Sequence, residues 1–244
     1  MRATGRSGRA TRPTDRPTLR CGPMRAGQPG SALPYPPYRG KRAVDLVLLA
    51  VAAVPTVLVG LVCALAIRLT SPGPVFFRQE RIGMGGEAFE VWKFRTMVTG
   101  DNPIFPDPDR ITRVGRWLRR SSLDELPQLI NVAEGAMSVV GPRPTLRYQV
   151  ERYDDRQRLR LSVRPGLTGL AQVRGRNALS WDERIEHDID YVQTQSARLD
   201  LRILAASFRV VVSGEGVEEH PHDDAIAAPD PIDPFDPLDV ERSS

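Results

Sequence analysis

Ser121-Ser-Leu-Asp-Glu-Leu-Pro-Gln-Leu-Ile-Asn-Val-Ala-Glu-Gly-Ala-Met-Ser-Val-Val-Gly-Pro-Arg-Pro144 is the most informative stretch of this 244-residue chain. It sets two adjacent carboxylates, Asp124 and Glu125, before a short apolar helix and then fixes Arg143 between two prolines. Neighbouring acids with a rigid cation nearby suit the joint binding of a divalent metal and a phosphate, because metal and arginine cancel the repulsion between carboxylate and phosphate. Spacing alone favours a second reading of the same residues. Asp is a preferred N-cap, Ser122-Leu-Asp-Glu125 fits a capping box, and Asp124 as cap places Pro127 in the first helical turn. The two readings are compatible, since a helix N-terminus also draws anions. Arg143 is either a turn residue paired with an acid or a pre-organised bidentate phosphate ligand.

Upstream, Leu46 to Ile67 runs for 22 residues without a charge. As a helix it measures roughly 33 Å, enough to cross the hydrocarbon core of a bilayer. It begins too far from Met1, and is too long, for a cleaved signal core. Pro55 lies near its middle, where it removes a helical hydrogen bond and clashes with the carbonyl of Val51. Arg39, Lys41 and Arg42 precede the segment; Arg68, Arg78 and Arg81 follow it. Both flanks are therefore basic, which the positive-inside rule assigns to the cytoplasm. A helix that enters, breaks at Pro55 and returns satisfies both flanks, and an ordinary kinked span is the alternative.

The ends of the chain differ from its middle. Residues 1–42 hold ten Arg or Lys against one acid, and residues 214–244 hold ten acids against one Arg. Both are proline-rich and poor in apolar residues, so the sequence predicts a disordered basic head (1–40) and an acidic tail (214–244) that is mostly disordered. Between them stand a membrane helix broken near Pro55 (41–70) and one domain (71–213) of ordinary size. The expected class is α/β and mainly helical, a re-entrant or spanning membrane helix followed by a compact cytosolic domain with small β content. Strands are expected at Val75-Phe-Phe77 and Ala88-Phe-Glu-Val-Trp92 around a Gly83–Gly86 turn. Helices are expected at 111–120, 125–132, 146–162, 180–195 and 199–212. Gly100 to Arg110 reads as a loop. Cys21 and Cys63 are poorly placed to bridge, which fits a reduced, cytosolic domain. His187 reads as a surface histidine. The sequence has no zinc-type Cys/His spacing, no Walker-type glycine loop and no GxGxxG.

Further motifs extend the pattern. Leu69-Thr-Ser-Pro-Gly-Pro74, Arg78-Gln-Glu-Arg-Ile-Gly83, Lys93-Phe-Arg-Thr-Met97, Arg110-Ile-Thr-Arg-Val-Gly115 and Arg164-Pro-Gly-Leu-Thr-Gly-Leu-Ala-Gln172 flank the Asp-Glu and Pro-Arg-Pro blocks in order. With these the chain resembles the bacterial polyprenyl-phosphate sugar-1-phosphate transferases, from Lys41 to about residue 220, in the small monotopic form. The resemblance implies a re-entrant helix broken at the central proline, an inner-membrane location and a cytoplasmic catalytic domain. It implies Mg²⁺ as cofactor, a UDP-sugar as donor, undecaprenyl phosphate as acceptor and membrane lipids as surroundings. By residue it implies Asp124 as nucleophile and Glu125 as magnesium ligand. Lys93, Arg95, Arg119 and Arg143 would form the substrate-binding set, with Lys93, Arg119 and Arg143 around the diphosphate. The family often carries an acid after Gly135, where this chain has Ala136, and the Gly100–Asp109 loop is compact and proline-rich.

Two other functions compete. A membrane-tethered binder of nucleic acid or anionic lipid would use the arginine clusters and have no need of Asp124. The basic excess lies largely in the head, and the rest of the chain has no recognition motif, so no nucleic-acid partner is expected. A hydrolase would use the same site with water, and only its product, free sugar phosphate, would tell it apart. An oligomer is compatible with the sequence, which specifies neither the assembly nor the sugar.

Overall fold

The computed structural model describes residues 34–98, 110–175 and 179–213. Most of the basic head, the 99–109 loop and the acidic tail lie outside the described residues. The described chain is mostly helical with two small two-stranded sheets, the class that the sequence predicts.

Helix α1 spans Lys41–Thr70 and has a mean hydropathy of 2.7 over its most apolar window. Gly40, at φ 88°, turns the chain into it, and Ser71 closes it by donating its N–H to the Ile67 carbonyl. Helical backbone continues through Pro55, so the break expected there is not an interruption of secondary structure.

Burial along α1 is unusual. Lys41 and Asp45 at one end, and Cys63 and Ile67 at the other, are buried, while Val51 and Val54 beside Pro55 are 76% and 70% exposed. At the first end Lys41 Nζ meets Asp200 Oδ2 at 2.6 Å, and Arg42 donates to the carbonyls of Val132 and Ala133. Asp45 accepts from Ser138 Oγ at 2.9 Å and Val139 N at 3.1 Å. At the second end Cys63 and Ile67 pack on Phe94 and Leu118. A straight rod laid on a convex body touches at its middle and leaves its ends free. Helix α1 does the reverse.

Strands β1 (Phe76–Ile82) and β2 (Ala88–Phe94) form an antiparallel hairpin, longer than the two expected segments. A 3₁₀ turn at Met84–Gly86 joins them, with Gly85 and Gly86 at φ 71° and 84°, the left-handed region glycine adopts without strain. The register pairs Phe77 with Lys93, Gln79 with Val91 and Arg81 with Phe89, and these six residues share one face. Asn131 ties the hairpin to the helix beneath it, accepting from Trp92 N and donating to Glu90 O.

Helix α2 covers Arg113–Arg120, with Thr112 as N-cap accepting from Gly115 N. A Cβ on Gly115 would lie 2.0 Å from the Thr96 carbonyl oxygen, so only glycine lets α2 sit against that backbone. A 3₁₀ turn at Leu123–Glu125 follows, then α3 at Gln128–Glu134 and β3 at Ser138–Val140. Next come α4 at Arg147–Glu151, a 3₁₀ segment at Gln157–Ser162 and β4 at Gly166–Thr168. The helix expected across 146–162 is therefore two short pieces. Strands β3 and β4 pair in parallel through the centre of the main core, with Val132, Met137, Val140, Tyr191 and Ile203 around them. Helices α5 (Leu170–Arg174), α6 (Trp181–Thr194) and α7 (Ala197–Ser213) complete the chain, α6 opening on a capping box between Ser180 and Glu183.

Candidate functional site

The Asp124–Glu125 pair lies below the inner face of the hairpin, and the arrangement differs from the one spacing suggests. Asp124 does not cap a helix. It is the middle residue of the Leu123–Glu125 3₁₀ turn, and α3 begins three residues later behind Pro127. Ser122, expected to cap through its side chain, instead has φ 56° and ψ 18° and makes no side-chain cap. It is the one non-glycine with positive φ among the described residues. That conformation costs on the order of 1 kcal/mol or more and recurs at functional sites. Ser122 accepts from Glu125 N and donates to the Arg119 carbonyl, so the strained residue sets the turn that presents both acids. Backbone conformation of this kind leaves no mark in a residue pattern, and sequence reading misses it.

Three sequence-predicted cations converge. Glu125 Oε1 accepts from Lys93 Nζ at 2.9 Å and Arg143 Nη2 at 2.6 Å, while Oε2 accepts from Arg143 Nη1 at 3.3 Å. Only 15% of the Glu125 side chain is exposed. Burial alone would raise its pKa, but the charges of Arg143 and Lys93 outweigh it and hold the carboxyl well below the usual range. Arg119 is held by a 2.9 Å bond from Nε to the Thr96 hydroxyl, and its charge reaches Asp124.

Asp124 is in the opposite condition. Its carboxylate makes no hydrogen bond or ion pair among the described residues, although Lys93, Arg143 and Arg119 all lower its pKa. Burial, followed by the charge of Glu125, wins and raises it above the ordinary value. One acid is thus paired with two cations, mainly through Oε1, and the other is bare, a division of roles that two adjacent letters in a sequence do not reveal.

Arg143 is supported from behind. Arg160 donates Nη2 to the Arg143 carbonyl at 2.9 Å and pairs with the buried carboxylate of Asp188 and the hydroxyl of Tyr153. Gly166 N donates to the Pro142 carbonyl at 2.8 Å, fastening the same loop to β4. Neither Arg160 nor Asp188 stands out in the sequence, because their role depends on α6 folding back over the 3₁₀ segment.

Arg95 is not brought to this cluster. Its buried guanidinium donates to the carbonyls of Ser71 and Pro72 just past the end of α1, which makes it a tie between the hairpin and that helix. His187 lies 3.1 Å from Arg174 on the exposed side of α6, away from the acids.

For a magnesium ion the protein offers Asp124 and Glu125. No group of three or more His, Cys, Asp or Glu able to hold a metal exists among the described residues. Mg²⁺ is commonly held by one or two carboxylates together with substrate phosphates, and this donor set fits that mode.

Comparison with known proteins identifies the family. The family model described as bacterial sugar transferase matches residues 37–214. The uncharacterized sugar transferase EpsL of Bacillus subtilis is 45% identical over 159 residues, covering 64% of this chain and 79% of that protein. The UDP-glucose:undecaprenyl-phosphate glucose-1-phosphate transferase of Caulobacter vibrioides is 46% identical over 177 residues, 67% of this chain and 66% of the relative. The exopolysaccharide production protein ExoY of Sinorhizobium fredii is 37% identical over 196 residues, 72% of this chain and 87% of the relative. Other relatives are longer; the chain spans 38% of the glucose-1-phosphate transferase of Escherichia coli. With the matched region running from just before α1 through the end of α7, the chain belongs to the bacterial sugar transferase family.

Proposed function

We propose that this protein moves a sugar-1-phosphate from a UDP-sugar to undecaprenyl phosphate, releasing UMP, as the step that commits a sugar to membrane-bound polysaccharide assembly. The observation that carries this reading is the bare Asp124 carboxylate beside a Glu125 already neutralised by Lys93 and Arg143. A carboxylate with no partner is a nucleophile in waiting, and flanking cations draw the phosphates to it. An Asp124 oxygen attacks the sugar-linked phosphorus, the bond to the nucleotide's phosphate breaks, and UMP leaves with the electron pair. A phosphate oxygen of undecaprenyl phosphate then attacks the aspartyl-bound phosphorus, which frees Asp124 and yields a lipid-linked diphosphosugar. Lys93, Arg143 and Arg119 hold the phosphate oxygens in line through both displacements. Bound Mg²⁺, with Glu125 as its principal protein ligand, would supply Lewis-acid neutralisation of the phosphates.

The membrane reading rests on α1. Both of its ends are seated on one domain while its centre is exposed, which supports a helix that dips into one leaflet and returns at Pro55. Helix α2, packed on the returning end through Leu118, exposes Trp117 and Arg113 on its outer side, residues suited to the headgroup layer. The acceptor's phosphate then meets Asp124 at the inner-membrane surface from the cytoplasmic side.

Two experiments test this. A panel of UDP-sugars should include at least one that releases UMP over many turnovers only when undecaprenyl phosphate is present, with no more than one UMP per enzyme in its absence and the sugar recovered on lipid. Recovery of free sugar phosphate instead would establish a hydrolase. For topology, cysteines at Gly30 and Glu134 in a chain with Cys21 and Cys63 replaced by serine should both react with an impermeant maleimide only after the cytoplasmic face is opened. Periplasmic labelling of position 30 would establish a span.

A further inference from the structure

Arg81 is the cation near the site that the resemblance does not assign. It lies near the end of β1 on the face it shares with Gln79, Val91 and Lys93, and burial alternates to match, with Gln79 and Arg81 half-buried and Arg78 and Glu80 exposed. Its guanidinium bonds to Gln79 Oε1 at 2.7 Å, and among the described residues it forms no ion pair with any acid. The next residue, Ile82, donates its N–H to the Thr145 carbonyl at 2.9 Å, which docks this end of β1 against the segment carrying Arg143. Burial and the like charge of Arg143 lower Arg81 to about 10, against an attraction from Glu125. It stays cationic at neutral pH.

Arg81 adds a fourth cation to Lys93, Arg119 and Arg143 around two carboxylates, Asp124 and Glu125, which leaves positive charge unmet. Lys93 and Arg143 already share Glu125. A phosphate is the ligand that a half-buried, unmatched guanidinium suits best, through two parallel N–H donors.

Position along the hairpin selects which phosphate. The Lys93 end is membrane-proximal, because its neighbour Phe94 lies against Gly60 of α1. Arg81 stands four residues further along β1 than Phe77, the partner of Lys93, about 13 Å from it along the strand in the direction leading away from Phe94. A phosphate anchored in lipid reaches the Lys93 end first, whereas a soluble nucleotide approaches from the Arg81 end. We propose that Arg81 binds the nucleotide-side phosphate of the donor, the one that departs with UMP, while Lys93 and Arg143 serve the transferred phosphate. This inference rests on the reading of the chain as a UDP-sugar transferase.

The test is UDP binding by titration calorimetry on the full chain in detergent, together with KM for undecaprenyl phosphate in a turnover assay. R81Q should bind UDP about ten- to a hundredfold more weakly, the usual effect of losing a charge-assisted hydrogen-bonded partner. Its KM for undecaprenyl phosphate should stay within about twofold. R81K, which keeps the charge without the fork, should recover part of the affinity. R147Q, which removes the exposed Arg147–Glu80 pair on the outer side of the same strand, should bind UDP as the unsubstituted chain does. Equal UDP affinity in R81Q and the unsubstituted chain would overturn the inference, as would a loss confined to undecaprenyl phosphate. If the unsubstituted chain itself failed to bind UDP, the transferase reading would fall, a result distinct from either. Thermal melts of each variant exclude misfolding, and a melt-neutral R81K with no regained affinity would also count against the assignment.

Discussion

Asp124→Asn is expected to abolish UMP release, lowering turnover by at least about a thousandfold, as loss of a covalent nucleophile does elsewhere. The protein should remain folded. Among the described residues Asp124 makes no hydrogen bond that asparagine would break, and the amide has nearly the same shape. The sign of its pKa shift leads to the same expectation. A carboxyl whose folded pKa is raised adds stability only below its unfolded pKa and loses it as pH rises through the folded value. At neutral pH the charged Asp124 is therefore a load on the folded state, and the neutral amide removes it. The melting temperature of the variant should equal or slightly exceed that of the unsubstituted chain. Turnover above about one per cent in a folded Asp124→Asn protein would rule out the aspartyl intermediate.

The second large effect is structural. The Arg160–Asp188 pair is sealed in the interior, with side chains 4% and 2% exposed. Asp188→Ala leaves a buried guanidinium without its counter-charge, which typically costs about 3–5 kcal/mol. Against a usual stability of about 5–15 kcal/mol for a domain, a shift of that size should be plain in chemical denaturation. The pair also has a role in the site, because Arg160 supports the Arg143 carbonyl. Replacing both partners by apolar residues, as in Arg160→Met with Asp188→Leu, should restore much of the stability. It should leave the donor KM raised, since Arg143 then lacks its support from behind. A double variant with restored stability and unchanged KM would reduce the pair to a packing element.

Much of this was legible in the chain. The two strand segments around the Gly83–Gly86 turn foreshadow the hairpin, the charge-free run foreshadows α1, and the helical spacing over 180–195 foreshadows α6. Lys93, Arg119 and Arg143 do gather at the acid pair. Other features escaped for physical reasons. Strands β3 and β4 are three residues each, too short to show a period, and their partners are far apart in sequence. Asp124 looked like a cap because capping preference is local, whereas its 3₁₀ turn follows from Ser122 adopting a strained conformation. Arg95 resembles a ligand two residues after Lys93, yet it lies one residue past the end of β2, and its guanidinium turns to the carbonyls that follow α1. Arg81 stands in a recognisable motif and Arg160 in none, but the role of either arises only when distant segments meet.

The fastening of α1 at both ends bears on how the chain acquires its fold. Lys41 and Asp45 open the apolar helix, yet their counterparts Asp200 and Ser138 emerge from the ribosome 159 and 93 residues later. Until then Lys41 and Asp45 have only each other, 3.5 Å apart one turn along the helix, so seating the helix is a late event, coupled to completion of the domain. The anchor and the catalytic body form one cooperative unit. Cutting the chain after Thr70 would not release a soluble enzyme, because it would strip Asp200 of its lysine and bare the Phe94–Leu118 surface to water.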